Sequence, residues 1–285
     1  MTASHLHDLE SRIEALVALP AGTPAPSDAM ALIDTLLTAL ERGELRSATR
    51  GDDGVWRAVP WVKRGILAGF RFGALADLSP AGGVFSFVDK ATYPPQQFGV
   101  ERNVRVVPGG STIRRGAYIA AGVVCMPPMF VNVGAYVGAG TMIDSHALIG
   151  SCAQIGARCH ISAAAQVGGV LEPVNASPVI IEDDVMMGGN TGVYEGTVVR
   201  QKAVIGAGVV LTRGTPVYDL VRETVYRASA EAPLEIPEGA VVVPGARNVS
   251  GGWAASQGLA LQTPVIVKYR DEKTDLATAL EGWLR

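Results

Sequence analysis

The chain has 285 residues, of which 48% are hydrophobic and 18% charged, with a formal charge of −3, so it is long enough for one large domain or two modest ones. An acidic balance argues against a nucleic-acid binder, which needs a basic face to neutralise phosphates, and no apolar run reaches the ~18 residues of a membrane span. The opening MTASHLHDLE lacks a basic-then-apolar signal pattern, so the expected location is cytoplasmic.

Ser4 is placed to cap a first helix with Leu6, Leu9, Ile13, Leu16 and Val17 on one side, ended by the Pro-rich AGTPAP. Ser27 is placed to cap a second, carrying Met30, Ile33, Leu36, Leu37 and Leu40, with Gly43 as its stop. Residues 45–59 read as a hairpin around Asp52-Asp53-Gly54, and PWVKRGILAGF as a third helix opening at Pro60. From Gly73 to Val100 only FSFVDK looks strand-like. Residues 1–100 thus form a helical α/β domain. Four arginines follow where it meets the rest of the chain, Arg102, Arg105, Arg114 and Arg115, and their forks suit a carboxylate ligand.

Beyond them a compact residue returns at every sixth position. Ile113, Ile119, Cys125, Val131, Val137, Ile143, Ile149, Ile155, Ile161 and Val167 form one series; Ile181, Met187, Val193, Val199, Ile205, Leu211 and Val217 form a second after a two-residue phase shift. A small or β-branched residue follows four places after nearly every one. Such a period fits neither a helix nor a plain strand, so each hexad is one face of a solenoid and three hexads close a triangular coil. Residues eighteen apart then stack at a strand spacing of about 4.8 Å, with glycine supplying positive φ at many corners. The predicted fold is mainly β, a parallel β-helix of hexapeptide repeats over 101–249. Loops interrupt it at 168–180 and 218–235, and a strand (TPVIVKYR) and a helix capped by Thr274 follow in 250–285. Cys125 and Cys159 fall on inward positions, and the three cysteines have no metal-type spacing, so neither a nucleophilic thiol nor a metal is expected.

GSCAQIG at 150–156, GGVLEP at 168–173 and IIED at 180–183 resemble the tetrahydrodipicolinate N-succinyltransferase family. RVVP at 105–108, RGAYIA at 115–120, VNVGAYV at 131–137, GTMID at 140–144, WVKRGIL and FVDK resemble it too, so the likeness covers nearly the whole chain. The resemblance implies a left-handed β-helix and a homotrimer with active sites between neighbouring prisms. It also implies transfer of the succinyl group of succinyl-CoA to the amino group of the ring-opened amino-dicarboxylate, in lysine and diaminopimelate biosynthesis. Arg105 and Asp144 match the family's substrate-binding positions. Asp144 follows the inward Ile143, so it points off the prism, where a carboxylate can hold the attacking amine and share its proton.

Glu172 in the inserted loop is a second candidate substrate contact, and Glu195 at a corner a second candidate acid or base. The acyl-CoA is expected along the groove beside GGVLEPVNASP, at Gly168, Gly169, Asn175 and Ala207, where peptide groups can bond an extended pantetheine arm. Two positions depart from the family. Gly192 stands where well-known members carry a glutamate, and His146 where many carry tryptophan, so His146 is an alternative base. These departures leave open an acetyl-CoA-dependent relative acting on the same or a related amino-dicarboxylate. A non-catalytic solenoid scaffold would instead predict bare, uniform coils. A metal enzyme needing three converging histidines is disfavoured, since only His146 and His160 lie in the prism.

Overall fold

The computed structural model describes residues 2–271, so the helix expected from Thr274 lies outside the described residues. Helix α1 (Ala3–Val17) is capped by Thr2 and not by Ser4: Thr2 has extended backbone, and its hydroxyl accepts from the His5 amide at 3.3 Å. Helix α2 (Ala29–Glu41) is entered from Asp28 rather than Ser27. The Asp28 carboxylate makes no cap bond and instead accepts from Arg12 of α1 at 3.2 Å. Gly43, at φ 68°, stops α2 as expected.

Strands β1 (Ala48–Arg50) and β2 (Trp56–Ala58) form the predicted antiparallel hairpin, and α3 (Pro60–Phe72) begins at Pro60. Two glycines on α3 admit their neighbours. A Cβ on Gly65 would lie 2.3 Å from Leu36 Cδ2, and one on Gly69 would lie 2.1 Å from the Tyr93 hydroxyl. Between 73 and 100 the structure adds a strand that the sequence did not announce, β3 (Leu75–Asp77), antiparallel to β4 (Val88–Lys90). Leu-Ala-Asp has little intrinsic strand preference; its partner makes it a strand.

The solenoid is built of two-residue strands on three faces. The first face runs from Thr112–Ile113 to Val210–Leu211 and the second from Tyr118–Ile119 to Glu235–Ile236. The third begins at Arg105–Val106, reaches Val204–Ile205 and continues into Ala240–Asn248. Every solenoid pairing is parallel, and Cys125, Ile143 and Ile161 stack as predicted. The phase shift is absorbed without loss of register, since Ile155 pairs with Ile181 and Ile161 with Met187. Both inward columns are buried, each aliphatic side chain contributing about 1.5–3 kcal/mol. A threonine there pays its polar cost locally: the Thr141 hydroxyl donates to Gly156 O at 2.9 Å and accepts from the Cys159 amide at 3.0 Å.

Glycine supplies only part of the corners. His146, Cys152, Arg158, Ala164, Asp184, Asn190 and Lys202 hold the same left-handed conformation that Gly116, Gly134 and Gly208 hold elsewhere. Each coil imposes it on the next. The Asn190 amide donates to Ala163 O at 3.0 Å and the Lys202 amide to Asp183 O at 2.9 Å, so a ladder of corner bonds offsets the roughly 1–2 kcal/mol per residue that a side chain costs there.

After Val217 the chain leaves the prism through Val217–Asp219 and Thr224–Tyr226, then returns at Glu235–Ile236. The C-terminal strand is longer than TPVIVKYR. It spans Ala260–Tyr269 and pairs antiparallel with Ala240–Asn248 across residue 249, with a short helix, Gly252–Ser256, between them. The N-terminal domain seats its helices on Val133 and Cys152 and its hairpin on Ile180 and Val198. Polar bonds fix the seat: the Ser47 hydroxyl lies 3.0 Å from both Gly134 O and Cys152 O.

Candidate active site

The arginine cluster divides by partner. Arg114 pairs with Asp89 and Arg115 with Asp34 at 2.6 Å, which bolts the N-terminal domain to the first coil. Arg102 donates to Gln96 at 3.1 Å and lies over the Phe98 ring. The Arg105 side chain is exposed and has neither ion pair nor hydrogen bond among the described residues. It heads the outward column of the third face, in line with Val124, Met142 and His160. Asp144 leaves the same face two residues after Met142, two rungs from Arg105, or about 10 Å at the strand spacing.

The Asp144 carboxylate is held on one side only. Its Oδ1 accepts from the Ser145 amide at 2.7 Å, and its Oδ2 lies 3.9 Å from Nε2 of His160. A third of the Asp144 side chain is exposed. The nearby histidine is therefore His160, one coil further on. His146 sits on an exposed corner at φ 63°. The sequence carried the signal for this in the stacking of His160 on Met142, eighteen residues apart.

The inserted loop leaves the corner between the first and second faces. Lys63 of α3, itself fully buried, reaches under it and donates from Nζ to Ala176 O at 2.6 Å. Beside the loop lies a cleft of about 490 Å³, lined by Asn175, Glu195, Arg213, β2 and residues 230–233. Glu195 is exposed there and its Oε2 accepts from the Arg213 amide at 2.8 Å. Glu172 is exposed at the outer turn of the loop. Gly168 and Gly169 are needed for close packing at the loop's root, since a Cβ on Gly169 would lie 2.5 Å from the Ser151 nitrogen and one on Gly168 2.7 Å from Cδ1 of Tyr194.

Tyr194 is a feature that sequence reasoning missed, and it accounts for Gly192. A Cβ on Gly192 would lie 2.5 Å from the Tyr194 ring and one on Gly168 2.7 Å from it, so the ring lies over both glycines. The ring thus fills the space a side chain at 192 would need. The legible signal was the pair of glycines flanking an aromatic residue on neighbouring coils.

Within one chain the candidate residues fall into two groups. Arg105, Asp144 and Ala207 lie on the third face or the corner where it meets the first. Glu172, Glu195, Gly168, Gly169 and Asn175 lie at the corner between first and second faces. The cysteines belong to neither. All three are buried thiols, and burial pushes Cys125 and Cys159 up to about 12 and Cys152 up to about 11, so none is a nucleophile near neutrality.

A triangular prism of hexads, a helical domain seated along its second face and adjoining corner, and a loop thrown from that corner beside a cleft lined by Glu195, Glu231, Arg57 and Arg213 together fit a hexapeptide-repeat acyltransferase. Models of the tetrahydrodipicolinate N-succinyltransferase N-terminal domain and of the hexapeptide repeat of succinyl-transferase match residues 8–72 and 178–213. Proteins named 2,3,4,5-tetrahydropyridine-2,6-dicarboxylate N-succinyltransferase align along most of the chain. The one from Bradyrhizobium diazoefficiens is 40% identical over 257 residues, covering 89% of each chain. The one from Aromatoleum aromaticum is 42% identical over 268 residues, covering 92% of this chain and 91% of its own. The one from Polynucleobacter asymbioticus is 39% identical over the same length and coverage. The chain belongs to the tetrahydrodipicolinate N-succinyltransferase family, and its solenoid is the left-handed β-helix of the hexapeptide-repeat acyltransferases.

Proposed function

We propose that this protein transfers the succinyl group of succinyl-CoA to the amino group of ring-opened tetrahydrodipicolinate, in lysine and diaminopimelate biosynthesis. The observation that carries the reading is identity of about 40% with N-succinyltransferases along 89% of both chains. Arg105, with its fork unengaged, takes a substrate carboxylate through charge-assisted bonds. Asp144 accepts a hydrogen bond from the substrate amine and takes its proton as nitrogen attacks the thioester carbon. The carbon–sulfur bond then breaks, and the departing thiolate receives a proton in turn. Glu172 is a further substrate contact and Glu195 an acid or base from the opposite side. The acyl-CoA runs along the inserted loop past Gly168, Gly169 and Asn175, and past Ala207 of the other group.

Because Asp144 and Glu195 stand at different corners, a site using both draws them from two copies of the chain. A homotrimer of prisms with flat faces around a three-fold axis supplies that arrangement. The test is thiol release from succinyl-CoA or acetyl-CoA with 2-aminopimelate as acceptor, together with mass by light scattering. Succinyl-CoA turnover by a particle of about three times 29.7 kDa is expected. Preference for acetyl-CoA would overturn the donor, and a monomer would overturn the shared site.

A further inference from the structure

A second hollow, of about 480 Å³, lies between the hairpin and the second face of the prism. Its floor is the column Ala120, Gly138 and Gly156, two places beyond the outward Tyr118, Tyr136 and Gln154, so the backbone there is bare of large side chains. Arg46 forms one wall. Its guanidinium lies 3.7 Å from the Tyr136 ring centroid and 5.3 Å from that of Trp56, and its Nε donates to Gln154 Oε1 at 2.9 Å. Gln154 is only 1% exposed and its amide is spent on Ser47 Oγ at 2.8 Å and Cys152 O at 2.9 Å, so it is fixed and fixes Arg46.

The two terminal nitrogens of Arg46 have no acceptor among the described residues, and no carboxylate there forms an ion pair with it. The acids that border the hollow are engaged elsewhere. Glu182 accepts from Trp56 Nε1 and Arg200 at 2.9 Å and from the Gln201 amide at 3.1 Å, and lies 3.8 Å from Arg50. Asp183 accepts from the Ala157 amide at 2.9 Å. Burial lowers the pKa of Arg46, as expected of a charge that its surroundings compensate poorly.

A clamped guanidinium with its outer edge open matches a planar oxyanion through paired N–H bonds. We propose that this hollow is a binding site for a small monocarboxylate, held by Arg46 above the glycine floor and separate from the acyl-transfer site. Its size falls in the range of small-molecule sites, roughly 300–1,000 Å³. Tyr118 and Tyr136 stack on each other at 4.5 Å and Arg46 covers the outer face of Tyr136, which favours a short aliphatic acid over an aromatic one. The carboxylate is the chemistry shared by amino acids and plain acids, and the probes below separate them.

The test is calorimetric titration of the intact protein with propionate, L-alanine and sulfate, in the wild type and in Arg46→Met, Ala139→Phe and Arg105→Met. Ala139 is an exposed residue lining the hollow, so phenylalanine there obstructs it without touching Arg46 or its bonds. Saturable binding of at least one of the two carboxylates is expected, weakened about tenfold or more by Arg46→Met, abolished by Ala139→Phe and retained in Arg105→Met. Tighter binding of L-alanine assigns an amino acid; equal or tighter binding of propionate assigns a plain acid. The proposal is overturned if neither acid saturates the wild type, if only sulfate does, if Arg46→Met binds undiminished, or if Arg105→Met abolishes binding. Should Arg46→Met fail to fold, Ala139→Phe decides, and undiminished binding in it overturns the site. Acyl transfer by Ala139→Phe stays at the wild-type rate, so this result and the acyltransferase reading stand or fall separately.

Discussion

Lys63 and Ala176, more than a hundred residues apart in sequence, are joined by a 2.6 Å bond from the Lys63 ammonium to the Ala176 carbonyl. With Leu171 packed against the core of the helices, it joins the N-terminal domain to the inserted loop. Replacing Lys63 with Met keeps the volume and removes the charge-assisted donor, an interaction of about 1.5–3 kcal/mol. The loop should lose its fixed course, so the KM for succinyl-CoA should rise roughly tenfold with turnover changed little. An unchanged KM in steady-state kinetics would detach the loop from acyl-CoA binding.

Arg105 and Asp144 should separate kinetically. Arg105→Lys keeps charge and loses the fork, so the acceptor KM should rise more than turnover falls. Asp144→Asn keeps shape and loses the base, which should lower turnover by ~10²–10⁴-fold with acyl-CoA binding preserved. Both side chains are at least partly exposed, so melting temperatures should barely move. If Asp144→Asn retained near-normal turnover while His146→Ala or His160→Ala abolished it, a histidine would be the base.

Glu182 is the hub of the hairpin's seat. It is 7% exposed and accepts from Trp56, Arg200 and the Gln201 amide. Glu182→Leu strands all three donors, although Arg200 keeps Glu235 at 2.9 Å. The loss should be about 2–4 kcal/mol, read as a clear fall in melting temperature by calorimetry. A shift within ~1 °C would mean that apolar packing on Ile180 and Val198 holds the hairpin alone.

The Tyr194 ring over Gly192 predicts coupled substitutions. Gly192→Ala should cost about 1–3 kcal/mol by overpacking, and much less in a Tyr194→Ala background, because the atom that a Cβ meets at 2.5 Å is then gone. Denaturant titration of the four proteins of this cycle measures the coupling; strict additivity would show that the ring moves aside without cost.

The buried thiols set a pH dependence. Cys125, Cys152 and Cys159 have folded-state values of about 12, 11 and 12, above the 9.0 of an exposed thiol. Between these limits the folded chain binds more protons than the unfolded one, so their contribution is complete below pH ~9 and is lost as pH rises toward the folded values. Iodoacetamide at pH 8 should label none of them in the native protein and all three in denaturant. Rapid native labelling of any one would show that its side chain is reached without unfolding.

Much of the architecture was legible because a solenoid writes its geometry into a fixed period. The column of Cys125, Ile143 and Ile161 could be read before any coordinates, since each coil repeats the same contacts at the same spacing. Pro60, Gly43 and Asp52-Asp53-Gly54 marked their turns for equally local reasons. Helix caps were less legible, because Asp28 is decided by Arg12 of another helix, and β3 is decided by its partner β4.

The candidate site divides in the same way. Sequence singled out Arg105 and Asp144 by motif and by the alternation that turns the residue after Ile143 outward. It could not show that Arg114 and Arg115 are spent on Asp89 and Asp34, or that Lys63 holds the loop. A periodic pattern is a sum of local contacts, which the chain's order records directly. The pairing of side chains from separate domains depends on how those domains dock, and only the tertiary structure decides that.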